Sequence, residues 1–324
     1  MTAAHWYEDF AERQARGVSL TYERLARSVA GNAGLLALLD TVPPPKRQPN
    51  LLFGVVRLLG GPVHSPTAFA DFVRSHWPAV QRELLTRATQ TNEANRCALL
   101  LPVLAALPQP LALLEVGCSA GLNLYPDRYS YAYGDHRVGT TGPLLSCAAT
   151  GVPLPSSLPT VVWRAGLDLN PLDVTDPSDL AWLDALIWPE HDHRRARLRE
   201  AAAIAAADPP DLIRGDLVDH LTGLALSAPR DATLVVFHTS VLYQVPDERR
   251  RQFTALAGSL PGHWIAVEDP EVLVYPGLAA ADPSHKNVLA LDGKPLAWTA
   301  GHGEGMTWFG PPPLHEEPAQ TARQ

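Results

Sequence analysis

The feature that most constrains this chain is a series of short, continuous apolar runs in its second half. Leu111 to Val116 reads LALLEV, Thr233 to Phe237 reads TLVVF, and Trp264 to Val267 reads WIAV; Thr160 to Trp163 and Leu212 to Arg214 are briefer. A half-buried strand alternates apolar and polar residues, whereas a run that is apolar throughout belongs to a strand covered on both faces, as in a parallel sheet. Helical segments separate the runs: Leu180 to Trp188, Arg194 to Ala206, and Asp247 to Gly258. That alternation predicts βαβ units. Further on, Val288 to Leu291 and Pro295 to Thr299 flank Asp292-Gly293, the dipeptide of a tight hairpin turn. Residues 109–310 are therefore expected to form a mostly parallel sheet with an antiparallel hairpin at one edge, and Thr233 to Phe237 is its clearest buried strand.

The first part reads differently. Trp6, Phe10 and Ala11, then Leu20, Leu25 and Val29, then Leu35, Leu36 and Leu39 recur at helical spacing. Prolines 43–45 and Pro49 break the pattern, and Gly60-Gly61 stops the helix that follows. Residues 1–108 are predicted to be an N-terminal helical domain whose last helix runs from Asn92 to Leu107. The stretch from Tyr125 to Pro159 does not suit one crossover helix; Tyr129, Tyr131 and Tyr133 alternate as in a strand, so an inserted hairpin or excursion is expected there. Residues 311–324 are rich in Pro and Glu and read as a disordered tail.

Composition narrows the classes. Of 324 residues, 46% are hydrophobic, enough for a large core. The net charge of -8 argues against nonspecific nucleic-acid binding, which needs a basic face. Three cysteines, Cys97, Cys118 and Cys147, with no CxxC pair, fit neither a disulfide scaffold nor a zinc site. MTAAHWYEDF lacks the basic start and apolar run of a signal peptide, and no uninterrupted apolar stretch reaches membrane-spanning length. A cytoplasmic protein with a small-molecule substrate, and with no membrane or nucleic-acid partner, is the expectation. Its oligomeric state, homo- or hetero-oligomer, is left open. His191 and His193 with Glu190 and Asp192 have the look of metal ligands, but the run continues as a charged helix, and a solvated face is preferred. No metal is called.

The most informative segment is Leu114-Glu115-Val116-Gly117-Cys118-Ser119-Ala120-Gly121-Leu122-Asn123. A strand enters a tight turn and, in the expected reading, a helix. Gly117, Ser119 and Gly121 are small enough for a ligand to approach the backbone. The spacing is wider than the GxGxxG of dinucleotide folds, and an acid, Glu115, precedes the loop. This arrangement resembles the first motif of class I S-adenosylmethionine (SAM)-dependent methyltransferases. Later segments resemble other strand ends of that superfamily: Gly166-Leu167-Asp168, where a carboxylate reads ribose; Gly215-Asp216, an adenine-side acid; and Phe237-His238-Thr239-Ser240 through Asp247, which faces the substrate. Asp168 stands about 50 residues after the loop, against ~20 in dinucleotide folds, a difference the excursion accounts for. The resemblance implies a Rossmann-like, class I methyltransferase-like fold, with SAM held by Glu115, Gly117, Ser119, Gly121, Asn123, Asp168 and Asp216. One departure is plain: His238-Thr239-Ser240 stands where many of these enzymes carry Asp or Asn, and no Asn/Asp-Pro-Pro-Tyr motif is present.

From about Trp6 to Trp308 the chain also resembles an uncharacterised bacterial family, domain of unknown function 2332. The residues that carry this are Gln90-Thr91-Asn92-Glu93, the Glu115 to Leu124 loop, Asp127-Arg128-Tyr129, Arg164-Ala165-Gly166-Leu167-Asp168, Trp188-Pro189-Glu190, Gly215-Asp216-Leu217, and His302-Gly303 near Trp308. That family implies no established reaction.

Candidate chemistry follows from position. Residues just beyond strands face the crevice of an open α/β sheet. His238 suits a general base or is a buried histidine bonded to backbone. Tyr243 orients substrate or packs. Glu268 binds a substrate ammonium or, with Asp269, caps a turn. Asn92, Glu93 and Arg96 are assigned to the substrate side, Arg96 for a carboxylate or sulfate, with an N-cap at Asn92 as the alternative. The leading expectation is methyl transfer from SAM to a small molecule, in secondary metabolism, with His238 and Tyr243 as catalytic residues. Two others stand beside it: SAM-independent displacement or cyclisation on the same fold, and a non-enzymatic partner subunit with a vestigial pocket.

Overall fold

A computed structural model describes residues 2–276, 278 and 285–312. The expected disordered tail from 311 lies outside the described residues except at 311 and 312. By packing, the chain divides into two compact units: Met1–Thr91 with Thr175–Leu198, and Asn92–Val174 with Arg199–Gln324. The helix expected to close the N-terminal domain thus belongs with the sheet, and a later helical segment belongs with the N-terminal helices.

The helical unit is built from helices Ala3–Phe10, Leu20–Ala30, Ala33–Leu39, Pro49–Leu58, Pro66–Ser75, Trp77–Thr86 and Pro177–Leu186. Ser19, Asn32 and Ser65 cap three of them through side-chain oxygens, satisfying amides that a helix start leaves unpaired. Phe53 is the centre of the core, touched edge-on or tilted by Tyr7, Phe10, Tyr22 and Phe69. Trp188 packs on Phe10 and Tyr22, and Glu190 accepts from Ser19 Oγ at 2.6 Å and Thr21 N at 3.0 Å. The Trp188-Pro189-Glu190 signature therefore ties one helix start into this unit.

The second unit contains strands β1 (Leu111–Val116), β2 (Ser130–Tyr133), β3 (His136–Val138), β4 (Leu144–Ser146), β5 (Ala148–Thr150), β6 (Val161–Asp168), β7 (Asp211–Arg214), β8 (Thr233–Thr239), β9 (His263–Glu268), β10 (Asn287–Leu291), β11 (Lys294–Thr299) and β12 (Gly305–Trp308). Nine of them form one sheet, in the order β5-β12-β11-β10-β9-β8-β1-β6-β7. The stretch β9-β8-β1-β6-β7 is parallel; β10, β11 and β12 continue it antiparallel, and β5 lies parallel to β12. The fold is mixed α/β with a large, mostly parallel sheet, as expected. The hairpin β10–β11 forms on Asp292 and Gly293, both at positive φ (51° and 75°), as its turn chemistry requires. It is not the edge, however: β12 and β5 lie outside it.

The excursion is a small sheet of order β3-β2-β4. Its tyrosines are buried and their hydroxyls donate to carbonyls: Tyr129 to Leu122, Tyr131 to Pro126 and Tyr133 to Ala98, each at 2.7 Å. Arg164 on β6 forks onto Asp127 at 2.7 and 2.8 Å and covers the Tyr125 ring, a bidentate clamp that Lys would not reproduce.

Strand alternation and register divide the sheet's two faces. Leu114, Val116, Ala165, Leu167, Leu234 and Val236 lie on one face, packed with Leu221, Phe253 and Ala257 from helices Leu217–Ala225 and Asp247–Ser259. His238 and Glu268 continue this face; Glu115, Asp168 and Thr239 lie on the other. Among the described residues, no helix is long and apolar enough to cross a membrane.

Candidate functional site

Strand order reverses at β1: β6 follows it in sequence on one side and β8 lies on the other. Such a switch point leaves a crevice beyond the carboxyl ends of the strands, where ligands of open α/β sheets bind. Buried polar side chains gather at this end of the sheet: Glu93, Asn95, Glu115, Ser119, Asn123, His238, Thr239, Glu268 and Asn287.

Glu115, the fifth residue of β1, is 1% exposed. Its Oε1 accepts from Asn123 Nδ2 at 2.9 Å, while its buried Oε2 has no hydrogen-bond partner. Burial pushes the carboxyl up to about 8; the Asn123 bond and the Arg96 guanidinium oppose the shift, and Asp168 adds to it. A buried carboxyl with one oxygen unsatisfied is costly unless a cation or donor arrives, so Glu115 has the chemistry of a ligand contact.

The loop after β1 differs from expectation. Gly117, Ser119 and Gly121 all take positive φ (68°, 50° and 70°), but a single 3-10 turn, Leu122–Leu124, follows instead of an α-helix. The loop therefore does not lead into an α-helix whose N-terminus could face a ligand. A Cβ on Gly117 would stand 2.5 Å from Val241 Cγ2, so Val241 fills the space where a ligand was expected to approach. At Gly121 the neighbours are Leu212, Leu124 and Pro210. These glycines answer to packing.

Asp168, at the end of β6, accepts from Ser119 N and Asn170 N, each at 2.8 Å. It ties the β1 loop to the end of β6. Asp216 caps helix Leu217–Ala225 through Val218 N at 2.7 Å and pairs with Arg249. Burial disfavours its charge, but the Val218 amide and Arg249 outweigh that and hold the carboxyl below its ordinary range. Its evident work is capping.

His238 is fully buried on β8. Nδ1 lies 2.8 Å from Glu268 Oε1, and Nε2 accepts from the Trp264 indole N–H at 3.0 Å. Indole can only donate, so Nδ1 carries the proton and donates it to Glu268. The general-base role expected of His238 is corrected here: it has neither solvent access nor an unused ring nitrogen. The alternative of bonding to backbone is also replaced, since both partners are side chains. Glu268 Oε1 accepts in addition from Val241 N at 2.8 Å and Leu242 N at 3.1 Å. Glu268 thus holds the chain after β8, a role the turn-cap reading missed.

Tyr243 lies on that held segment and is 61% exposed. Desolvation nonetheless raises its phenol pKa, opposed by Arg96 and reinforced by Glu268. Arg96 donates to Thr239 O at 2.8 Å and Oγ1 at 3.2 Å. Asn92 Oδ1 accepts from Leu122 N at 2.8 Å, and Glu93 caps the short turn Ala94–Arg96 through Asn95 N. The segment 92–96 thus joins the β1 loop to the end of β8. Sequence reasoning missed Asn95, whose Nδ2 donates to Ser146 O and His302 O, and Asn287, which donates to Ser240 Oγ at 3.0 Å. Their only signal was a polar residue at the boundary of an apolar run.

Fold and site together define an α/β protein that concentrates buried polar groups at the carboxyl ends of its parallel strands. Residues 4–308 match the family described as uncharacterized protein conserved in bacteria (DUF2332), and the chain belongs to it. No curated protein and no solved structure matches it.

Proposed function

We propose that this protein is an enzyme acting on a small molecule by methyl transfer from SAM, on a Rossmann-like, class I methyltransferase-like sheet. The observation that carries the reading is Glu115: a buried carboxyl with an unpaired oxygen and a raised pKa, at the switch point of the sheet. The ammonium of SAM would supply the missing partner. Asp168 fits ribose hydroxyls, since a carboxylate oxygen that already takes one amide can accept a second donor. In support, the four strand ends that resemble the superfamily stand on four adjacent strands, β7-β6-β1-β8. When bound, SAM supplies a methyl group on a positively charged sulfur. Tyr243 and Arg96 would orient the acceptor, with Glu93 behind them, and alignment in the cleft would carry most of the rate. Gly117 and Asp216 are left out of the contacts, because Val241 and Arg249 engage them.

Calorimetry with SAM and S-adenosylhomocysteine tests the proposal, followed by product mass with and without SAM. Micromolar binding that Glu115→Gln weakens supports it, as does a product heavier by one methyl group. No binding at millimolar ligand removes it. A second reading, SAM-independent displacement or cyclisation in the same cleft, is favoured by one observation: Val241 closes the approach to Gly117.

A further inference from the structure

Among the described residues, the buried polar atoms without a hydrogen-bond partner on the sheet face opposite Glu115 include Glu268 Oε2, Tyr275 Oη and Trp298 Nε1. Their residues are 0%, 8% and 4% exposed. Register brings them together. Glu268 pairs with Val288 across β9 and β10, and Val288 pairs with Trp298 across β10 and β11, so all three side chains share one face. Tyr275 packs against Val288 and Trp298 in one cluster, with Phe309 beside Trp298. Glu268 is also close enough to act on the Tyr275 phenol, whose pKa is raised first by burial and then by this carboxylate.

The chemistry of the three atoms is complementary. His238 and the amides of Val241 and Leu242 all bond to Oε1, which fixes the carboxylate rotamer and leaves Oε2 to accept. Trp298 Nε1 can only donate, and the phenol does either. Leaving three such buried atoms unpaired is unfavourable.

We infer that Glu268 Oε2, Tyr275 Oη and Trp298 Nε1 form a binding site for a small amine that also carries a hydrogen-bond acceptor, as an amino alcohol does. The ammonium donates to Glu268, the ligand oxygen accepts from Trp298, and Tyr275 bridges them. The site goes beyond the proposed function: it lies on the sheet face opposite Glu115, away from the acceptor position assigned to Tyr243 and Arg96, and it needs no SAM.

The test uses the full chain without SAM, so its failure and that of the SAM assignment are distinguishable. The probe is ethanolamine, with ethylammonium (no acceptor) and ethylene glycol (no cation) as comparisons, followed by the Trp298 indole N–H resonance. Ethanolamine is expected to shift that resonance saturably, at least about tenfold tighter than either comparison, since a charged hydrogen bond is worth about a decade in affinity. Glu268→Gln keeps an oxygen for the three donors at Oε1 but turns the free position into a donor, and should weaken ethanolamine by about tenfold or more. Tyr275→Phe, on a loop away from those bonds, should weaken it with the Trp264 indole resonance unchanged. No saturable shift in the wild type, an equal response to ethylene glycol, or full affinity in both variants overturns the inference.

Discussion

If Glu115 receives the ammonium of a ligand, binding must be coupled to a proton. Its carboxyl titrates near 8 in the empty protein, so below that pH the site is mostly neutral, and a cation must drive the proton off. Apparent affinity then scales with the ionised fraction, roughly a quarter at pH 7.5 and about one hundredth at pH 6. Affinity for SAM should therefore fall about 25-fold over that interval, or about 1.9 kcal/mol. At pH 7 close to one proton should leave the protein per ligand bound. Calorimetry at pH 7 in buffers of different ionisation enthalpy reads that proton directly, and a pH series reads the affinity. Glu115→Gln should flatten the pH dependence and abolish the release. A flat wild-type profile, or proton uptake, would refute the assignment of Glu115 to a cation. Stability of the empty protein follows the same group. A carboxyl raised in the folded state from its ordinary 4.5 to about 8 favours folding fully below 4.5, and that contribution is lost as pH rises through 8. The loss is on the order of 5 kcal/mol, and it should be missing from denaturation curves of Glu115→Gln.

Gly117→Ala should lower the melting temperature with no ligand present, because its Cβ meets Val241 at positive φ. The cost is about 1–2 kcal/mol from the backbone and a further 1–3 from overpacking, and an unchanged melting point would contradict the packing role. Asp168→Ala removes the acceptor for Ser119 N and Asn170 N, and should destabilise by about 2–4 kcal/mol and speed proteolysis within 117–121. His238→Ala strands the Trp264 indole and one Glu268 bond. It should reduce stability by about 3 kcal/mol, and a fully stable variant would show that the buried triad is dispensable.

The parallel strands were legible because full burial on both faces leaves an unmistakable run of apolar residues. The buried setting of His238 was legible too: it continues the alternation of Leu234 and Val236, which pack under Phe253. Its partners were not, since nothing in sequence relates it to Trp264 or Glu268, 26 and 30 residues away. β5 and β12 escaped notice as three- and four-residue strands without periodicity, paired over a long chain separation. The loop after β1 misled for a different reason. A strand, small residues and an acid are compatible with an α-helix or a 3-10 turn, and the choice is set by the packing of Leu122 and by Asn92 accepting from its amide. Leu180 to Trp188 and Arg194 to Ala206 were read as helical, and helices Pro177–Leu186 and Asp192–Ala207 form there, but periodicity says nothing about which unit a helix packs into.

Glu115 and Glu268 each keep one buried oxygen unpaired, on opposite faces of the sheet, and the chain after β8 stands between their effects. The oxygen of Glu268 that is already satisfied holds the amides of Val241 and Leu242. Val241 in turn presses its side chain on Gly117. Any ligand that needs the Gly117 backbone must displace the Val241 side chain, whose own backbone amide is held by Glu268. A ligand that engages only Glu268 Oε2 leaves those bonds intact and keeps Val241 in place. The segment from Ser240 to Gln244 is thus the element through which the two carboxylates can influence each other, as coupling requires a structure whose arrangement both sites bias. It also carries Tyr243, an exposed phenol, which follows directly on the two residues whose amides Glu268 holds.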